Sequence, residues 1–298
     1  MNSAMGEMMA GEYTIGELMC TCIARQIVDG EVLAQGLATP LVAAGYLLAW
    51  HTHAPNVYFA SAIGQSVCRE GAPLGLASVE ALWLDKALRY FGFISAVCDL
   101  LPVARAREFF RPAQVDPSGS FNNIAFGKDY RMPRLRLPGA GGIPDVTTYL
   151  DNVCLYVTRH TRLTFVPKVD FVSGLGHVAG RRRGRGPTYL VSDLGQFDFE
   201  NGRMRLTHLH PGVSIEQVQS KTGFPLECAT PVRTTPQPTS DELHLLRVAI
   251  DPLGIRRLEF LSGPERRQAL RAILAEEKRG DGGGSRQTSR KASGSSDG

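Results

Sequence analysis

Several residue groups in this chain have types and spacings that can do chemistry. The run PGAGGIP, Pro138 to Pro144, gathers Gly139, Gly141 and Gly142 around one alanine. With no Cβ, such a run lets the backbone approach a ligand and turn N–H groups onto an anion or a polarised oxygen. The same glycines also suit a tight structural turn. The run is not a P-loop, because the Lys-Ser/Thr ending is absent. Asn122 and Asn123 follow the turn DPSG and can donate amide hydrogens to a carbonyl, or satisfy loop backbone instead. Arg159, His160, Arg162 and Lys168 surround an apolar stretch. Phosphates and carboxylates need such fixed cations, and arginine offers bidentate geometry. For any one of these residues, solvated surface is the alternative.

Ser61 is a nucleophile by type, in the stretch YFASAIG from Tyr58 to Gly64. Without a G-x-S-x-G elbow it also reads as a small residue packed in a sheet. That stretch contains no acid, and the next one along the chain is Glu70. The alternating pairs His51/His53 and His208/His210 are joined by no Asp, Glu or Cys in a ligand spacing, so no metal site is expected. Asp145 reads as a helix cap before VTTYL, and RRRGR, Arg181 to Arg185, as a solvated hairpin loop.

The elements that must position these residues follow from pattern. Ile15, Leu18, Ile23 and Ile27 recur near helical spacing within Ser3–Val28. VLAQGLAT reads as a buried strand and its turn. Pro40 then opens the helix LVAAGYLLAWHTH, where its missing N–H is harmless, and NVYFASAI is the next strand. Strand, helix, strand is βαβ logic, which favours a mainly parallel sheet covered by helices. SVEALWLDKALRYFG, Ser78 to Gly92, reads as a helix begun by Ser78. From Asn152 the chain is strand-like: NVCLYVTRH, LTFVPKVDFVSG and PTYLVSDLGQFDFENGRMRLTHLHPG, with Asn201-Gly202 as a hairpin turn. VSIEQVQSK and TSDELHLLRVAI read as late helices, the second with a capping box. The fold expected is therefore α/β: an open, mainly parallel sheet with flanking helices and additional antiparallel strands.

Length and composition bound the class. A chain of 298 residues, 43% hydrophobic and 21% charged, closes one large core, here expected over residues 1–274 with a polar disordered tail at 275–298. The net charge is +4, but five Lys/Arg against two Asp between Lys278 and Gly298 leave only +1 for the rest. A nearly neutral body gives no electrostatic case for nucleic acid. No pair of the six cysteines has C-x-x-C spacing, and MNSAMGEMMAGEYT lacks the basic start and apolar core of a signal peptide. Apolar runs such as Val42–Trp50 are shorter than the roughly 20 residues a bilayer needs. A cytoplasmic protein with reduced thiols and no membrane association is the expectation.

Ordered motifs then carry a resemblance. THAPN (Thr52–Asn56), FNNIAFG (Phe121–Gly127), LPGAGGIPD (Leu137–Asp145), VPKVDFVSGLGH (Val166–His177), VSDLGQFDF (Val191–Phe199) and LHPGV (Leu209–Val213) resemble the beta subunit of class I coenzyme A transferases. Within that superfamily they are most similar to the branch holding the steroid ring-opening hydrolase and glutaconyl-CoA-type decarboxylase beta subunits. The likeness spans roughly residues 12–255.

The resemblance implies an alpha subunit of related fold in a heterodimer or heterotetramer, and an acyl-CoA thioester bound at the subunit junction. Coenzyme A then enters as part of the substrate, with no tightly bound cofactor. In the transferases a beta-subunit glutamate attacks the thioester, and its place falls within Tyr58–Gly64, which holds no acid here. CoA exchange between acids needs a carboxylate, because only an anhydride exchanges reversibly with a thioester, and Ser61 would make a far less exchangeable ester. The decarboxylases carry a cysteine there, whereas Cys68 lies four residues past Gly64.

Hydrolytic ring opening or decarboxylation is therefore expected. VDFVSGLGH and TSDELHLLR favour the first comparison, THAPNVYFASAIG the second. Ser61, Asn122 and Asn123 stand as catalytic candidates. Gly139, Gly141, Gly142, Arg159, Arg162 and Lys168 stand as candidates for holding the thioester and its anionic groups, and the principal acid or base is allowed to come from the partner. A non-catalytic scaffold subunit, or a transferase using Glu70, remains the alternative.

Overall fold

The computed structural model describes residues 13–36, 39–61, 65–77 and 86–284. Its frame is a ten-stranded sheet in the order β14-β13-β12-β11-β10-β5-β1-β2-β3-β4. The central strands β1 (Val32–Gln35), β2 (Tyr58–Ser61), β5 (Arg107–Phe110), β10 (Asn152–Val157) and β11 (Pro187–Ser192) run parallel. Antiparallel β3 (Ser66–Cys68) and β4 (Ala87–Tyr90) extend one edge. At the other edge β12 (Gly195–Glu200) and β13 (Arg203–Leu209) add antiparallel pairs, and β14 (Glu227–Thr234) closes parallel to β13. Short two-residue strands, β6 (Gln114–Val115) with β7 (Phe121–Asn122) and β8 (Ala125–Phe126) with β9 (Leu135–Arg136), form two small ladders outside this sheet. The expected α/β architecture is thus present.

Cβ alternation sorts the central strands onto two faces. Leu33, Phe59, Phe109, Cys154, Tyr156 and Val191 pack under α1 (Ile15–Ala24) and α2 (Pro40–Thr52). Ala34, Ala60, Phe110, Val153, Leu155 and Leu190 point the other way, beneath α3 (Ile143–Tyr149), α4 (Ile215–Lys221) and the Phe121/Phe165 loops. Four helices start where local chemistry answers the free N–H groups. Thr14 and Glu17 form a capping box on α1, Pro40 stands at the start of α2, and Ser214 with Gln217 boxes α4. Thr239 and Glu242 do the same for α5 (Ser240–His244), which continues into a π-helical turn, Leu245–Ile250. The hairpin turn is as read: Asn201 and Gly202 take φ of +52° and +75° between β12 and β13.

Four expectations are corrected. Ala87–Tyr90 is a strand, because pairing with β3 outweighs its helical pattern, while Ser78–Asp85 lies outside the described residues. LTFVPKVDFVSG is not a strand. Pro167 interrupts it, and its backbone is pinned by isolated bridges of Phe165 to Val115 and of Gly174 to Phe121. RRRGR lies in the crossover between parallel β10 and β11, not in a hairpin, and Arg181 donates to the carbonyls of Gly184, Leu175, Gly176 and Thr147.

The last concerns the tail. α6 (Gly263–Gly284) runs ten residues past 274, because Ala269, Leu270 and Ile273 pack on Ile255 and Leu258. Further along, Glu277 accepts the backbone N–H groups of Leu76 and Ala77. Residues 285–298 lie outside the described set. Among the described residues no helix is long and apolar enough to cross a membrane.

Candidate active site

In open parallel sheets, ligands bind beyond the carboxyl ends of the strands, where loops and helix starts converge. Here β5 ends at Phe110 and delivers Arg111, and β10 ends at Val157 and delivers Thr158 and Arg159. Together with Asn123 and Gly139 these residues line a cleft of about 390 Å³.

Arg111 is the most firmly held cation there. Its guanidinium donates to Thr158 Oγ1 at 2.8 Å and Glu259 Oε2 at 3.2 Å, while its side chain stays 44% exposed. Glu259 is buried and also accepts from Tyr156 Oη at 2.8 Å and the backbone N–H of Leu41 at 2.8 Å. Burial pushes the Glu259 carboxyl up, and Arg111 and these donors pull it back. A fixed guanidinium at the mouth of a cleft suits a phosphate or carboxylate.

Asn123 is held with its Oδ1 accepting from Ala113 N–H at 2.9 Å and its Nδ2 donating to Arg111 O at 3.1 Å. Its own carbonyl accepts from Gly139 N–H at 2.9 Å, which ties the glycine run to the Asn loop. Gly139 (φ +107°) and Gly141 (φ +52°) occupy conformations that favour glycine, with open space where a Cβ would stand. Gly142 is the N-cap position of α3.

A second, apolar cavity of about 150 Å³ lies at the ends of β1 and β2, on the α2 side. Gln35, Gly36, Leu47, Ser61, Glu70 and Leu76 are among its walls. Ser61 is buried at the last position of β2, beside Gln35 in register.

The structure brings Asn123, Gly139 and Arg159 together, and places Ser61 in the second cavity. Other candidates fall elsewhere. Asn122 is fully buried. Its Nδ2 donates to Gln114 Oε1 at 2.8 Å and Ala125 O at 2.7 Å, and its Oδ1 accepts from Ile124 N–H at 2.9 Å, so it braces the loop and does not face a ligand. Arg162 and Lys168 are exposed and line neither cavity. His160 is core, stacked on Phe165 at 3.5 Å and bonded to Ser192 and Thr222 hydroxyls; burial, aided by Lys221, pushes its pKa down to about 3. Asp145 sits exposed in the first turn of α3 and makes no cap. Glu70 is exposed and salt-bridged to Lys86 at 2.6 Å. His208 meets Thr207, and His210 meets Thr235 and Ser192 O.

Sequence reading missed Arg111 and Thr158, although a cation directly after a buried strand was a usable signal. It also missed Glu108, an acid inside the aromatic strand REFF. Glu108 is buried, and desolvation pushes its pKa up to about 8.

Known proteins resemble this chain in both sequence and fold. The coenzyme A transferase family model matches residues 105–221, which include Arg111, the Asn loop, the glycine run and Arg159. The chain is 32% identical to a 3-oxoadipate CoA-transferase subunit of Pseudomonas knackmussii over 79% of this chain and 92% of that protein. It is 30% identical to the cholesterol ring-cleaving hydrolase IpdB subunit of Rhodococcus jostii, over 77% of this chain and 89% of that protein. Among solved structures, the decarboxylase AibA/AibB superposes with a TM-score of 0.72 at 31% identity, over 82% of this chain and 97% of that one.

Proposed function

The chain belongs to the coenzyme A transferase family, and from that premise we propose that it is the beta-type subunit of a heteromeric acyl-CoA enzyme that breaks a carbon–carbon bond in its thioester without transferring CoA. The observation that carries this reading is the end of β2. The stretch Tyr58–Gly64 holds no acid, and its last described residue, Ser61, is a buried serine. The nearest acid along the chain, Glu70, is engaged with Lys86 at the surface. A reversible acyl-anhydride step has no carboxylate at that position.

What the chain does offer suits stabilising charge in place of carrying an acyl group. Breaking a carbon–carbon bond beside a thioester leaves an enolate, and pre-oriented N–H donors stabilise it. Gly139 N–H is already given to Asn123 O, so Gly141 and Gly142 are the source of such donors in that run, and Arg111 and Arg159 supply cations for anionic groups of the substrate. Ring-opening hydrolysis and decarboxylation share this need. IpdB and AibA/AibB, each about as similar to this chain as the transferase subunit, carry those two reactions in their names. An alpha-type subunit of related fold completes the site.

The test is covalent trapping. The complex is incubated with an acyl-CoA, reduced with borohydride and digested, and every Glu peptide is weighed. No reduced glutamyl adduct is expected on any residue, Glu70 included. An adduct on Glu70 would establish transfer chemistry and overturn the proposal.

A further inference from the structure

Glu108 is a buried carboxyl to which the roles assigned above give no part. It is 6% exposed, and no hydrogen bond or ion pair joins its carboxyl to any described residue. Its strand neighbour Arg107, on the opposite face, is by contrast paired with Glu31 through two 2.8 Å contacts. Buried charges are ordinarily paired, so a buried carboxyl with no partner among the described residues is retained at a stability cost and is a candidate for function.

Its surroundings indicate what it faces. Glu108 pairs in register with Ala34 on β1 and Val153 on β10, and points to the sheet face that carries Ala34 and Ala60. Those two alanines are themselves buried, and Glu108 lines neither cavity directly, but it approaches Gly36, which is part of the wall of the cavity at the ends of β1 and β2. The carboxyl reaches toward the carboxyl end of β1, where its Oε1 lies 3.5 Å from the position a Cβ on Gly36 would take. A Cβ at 36 would stand in van der Waals contact with that oxygen. Of the two helices packed on this same face, α3 does so through Ile143 and Val146, and α3 is the helix that the Gly139–Gly142 run enters. The acid and the glycine run therefore share one face at one end of the sheet.

We propose that Glu108 is the general acid of this subunit, delivering a proton to the carbon of the acyl thioester from which the carbon–carbon bond has been broken. The inference rests on the cleavage reading above. In the step, the carbon–carbon bond breaks and its electron pair passes into the thioester enolate. The departing fragment leaves as carbon dioxide, or, where water has added to a ring ketone, as a carboxylate. The Glu108 O–H bond then breaks as a new C–H bond forms, and water returns a proton to the carboxylate. Desolvation keeps the carboxyl protonated at neutral pH, so the acid is ready before substrate binds.

The experiment compares wild type and Glu108→Gln in complex with the alpha-type subunit, measuring turnover, KM and their pH dependence on glutaconyl-CoA and a cyclic β-keto acyl-CoA. The expected result is a fall in kcat of about 100-fold or more with KM little changed. In the wild type, kcat declines as pH rises through about 8, because the acid form is lost. That basic limb is expected to be absent from the residual activity of Glu108→Gln. Equal kcat in the two proteins, or a wild-type rate that is flat across this range, would overturn the assignment. The wild-type profile stands even if the variant fails to fold. If the wild type cleaves neither substrate and moves CoA to an added acid, the cleavage reading itself fails, and this inference falls with it. That outcome is distinct from a wild type that cleaves and a variant that cleaves equally well.

Discussion

At the scale of single residues, the two adjacent asparagines show how differently neighbours in a motif are used. Asn123 lines the cleft, whereas Asn122 satisfies three backbone groups and Gln114 from inside the loop. Removing the Asn122 amide leaves those partners unpaired in a buried site. Asn122→Ala is therefore expected to lower unfolding free energy by about 2–4 kcal/mol, measured by denaturant titration of the complex, with turnover per folded molecule retained. Unchanged stability with lost turnover would return Asn122 to the chemistry. The motif FNNIAFG was visible in the sequence, but the division of labour within it was not, because both residues have the same hydrogen-bonding capacity. Burial, 0% exposure for Asn122, decides which of them can meet a ligand. His160 was misread for a related reason. It sits among charged residues in sequence, yet it follows closely on β10 and turns inward onto Phe165.

At the scale of elements, the parts of the chain with strong local signals are where the sequence places them. β1, α2 and β2 follow from an aliphatic run, a proline start and a second aliphatic run, and the β12–β13 turn follows from Asn-Gly. The elements that differ are those whose state depends on distant partners. β4 exists because β3 offers it an edge, and α6 persists because the segment at Leu76 and Ala77 has two N–H groups that Glu277 accepts. Neither partner is near in sequence, so neither could be read from composition or period. The Glu277 contact predicts that Glu277→Ala loosens α6 from the body, at a cost of about 1–3 kcal/mol. Hydrogen exchange at Leu76 and Ala77 checks this. Protection there is expected to fall well before protection in β10, and uniform loss across both would contradict a local role for Glu277.

At the scale of the whole molecule, buried titratable groups make stability depend on pH in two opposed ways. His160 and His210 are held neutral by burial, with pKa values of about 3 and 4, against 6.5 when unperturbed. Below about pH 6.5 the unfolded chain gains protons that the folded one refuses, so the stability these residues hold above that pH is lost as pH falls toward 4. The loss by pH 4.5 is about 2–3 kcal/mol for each. NMR of the imidazoles is expected to show no titration between about pH 5 and 8. A midpoint near 6.5 would contradict it.

Glu108 acts in the other direction. Its folded pKa is raised to about 8 from 4.5, so the unfolded chain loses its proton first, and folding weakens as pH rises from 4.5 to 8. Glu108→Gln is accordingly expected to be more stable than wild type at neutral pH, by up to about 3 kcal/mol. Fold and family were legible in the sequence because they are spread over many ordered motifs. The acid proposed for the chemistry was not, because its significance comes from its burial and from its approach to Gly36, beyond the end of another strand.

The measurement closest to the central claim follows the fate of the thioester. The chain is co-expressed with an alpha-type subunit from the same genome, and the complex is incubated with glutaconyl-CoA or a cyclic β-keto acyl-CoA in the presence of excess acetate. The whole CoA pool is then weighed by mass spectrometry. Carbon–carbon cleavage predicts a thioester lighter by one carbon dioxide, or heavier by one water, with CoA still joined to the original acyl fragment and no acetyl-CoA formed. Acetyl-CoA accumulating at the expense of an otherwise unchanged acyl group would contradict it.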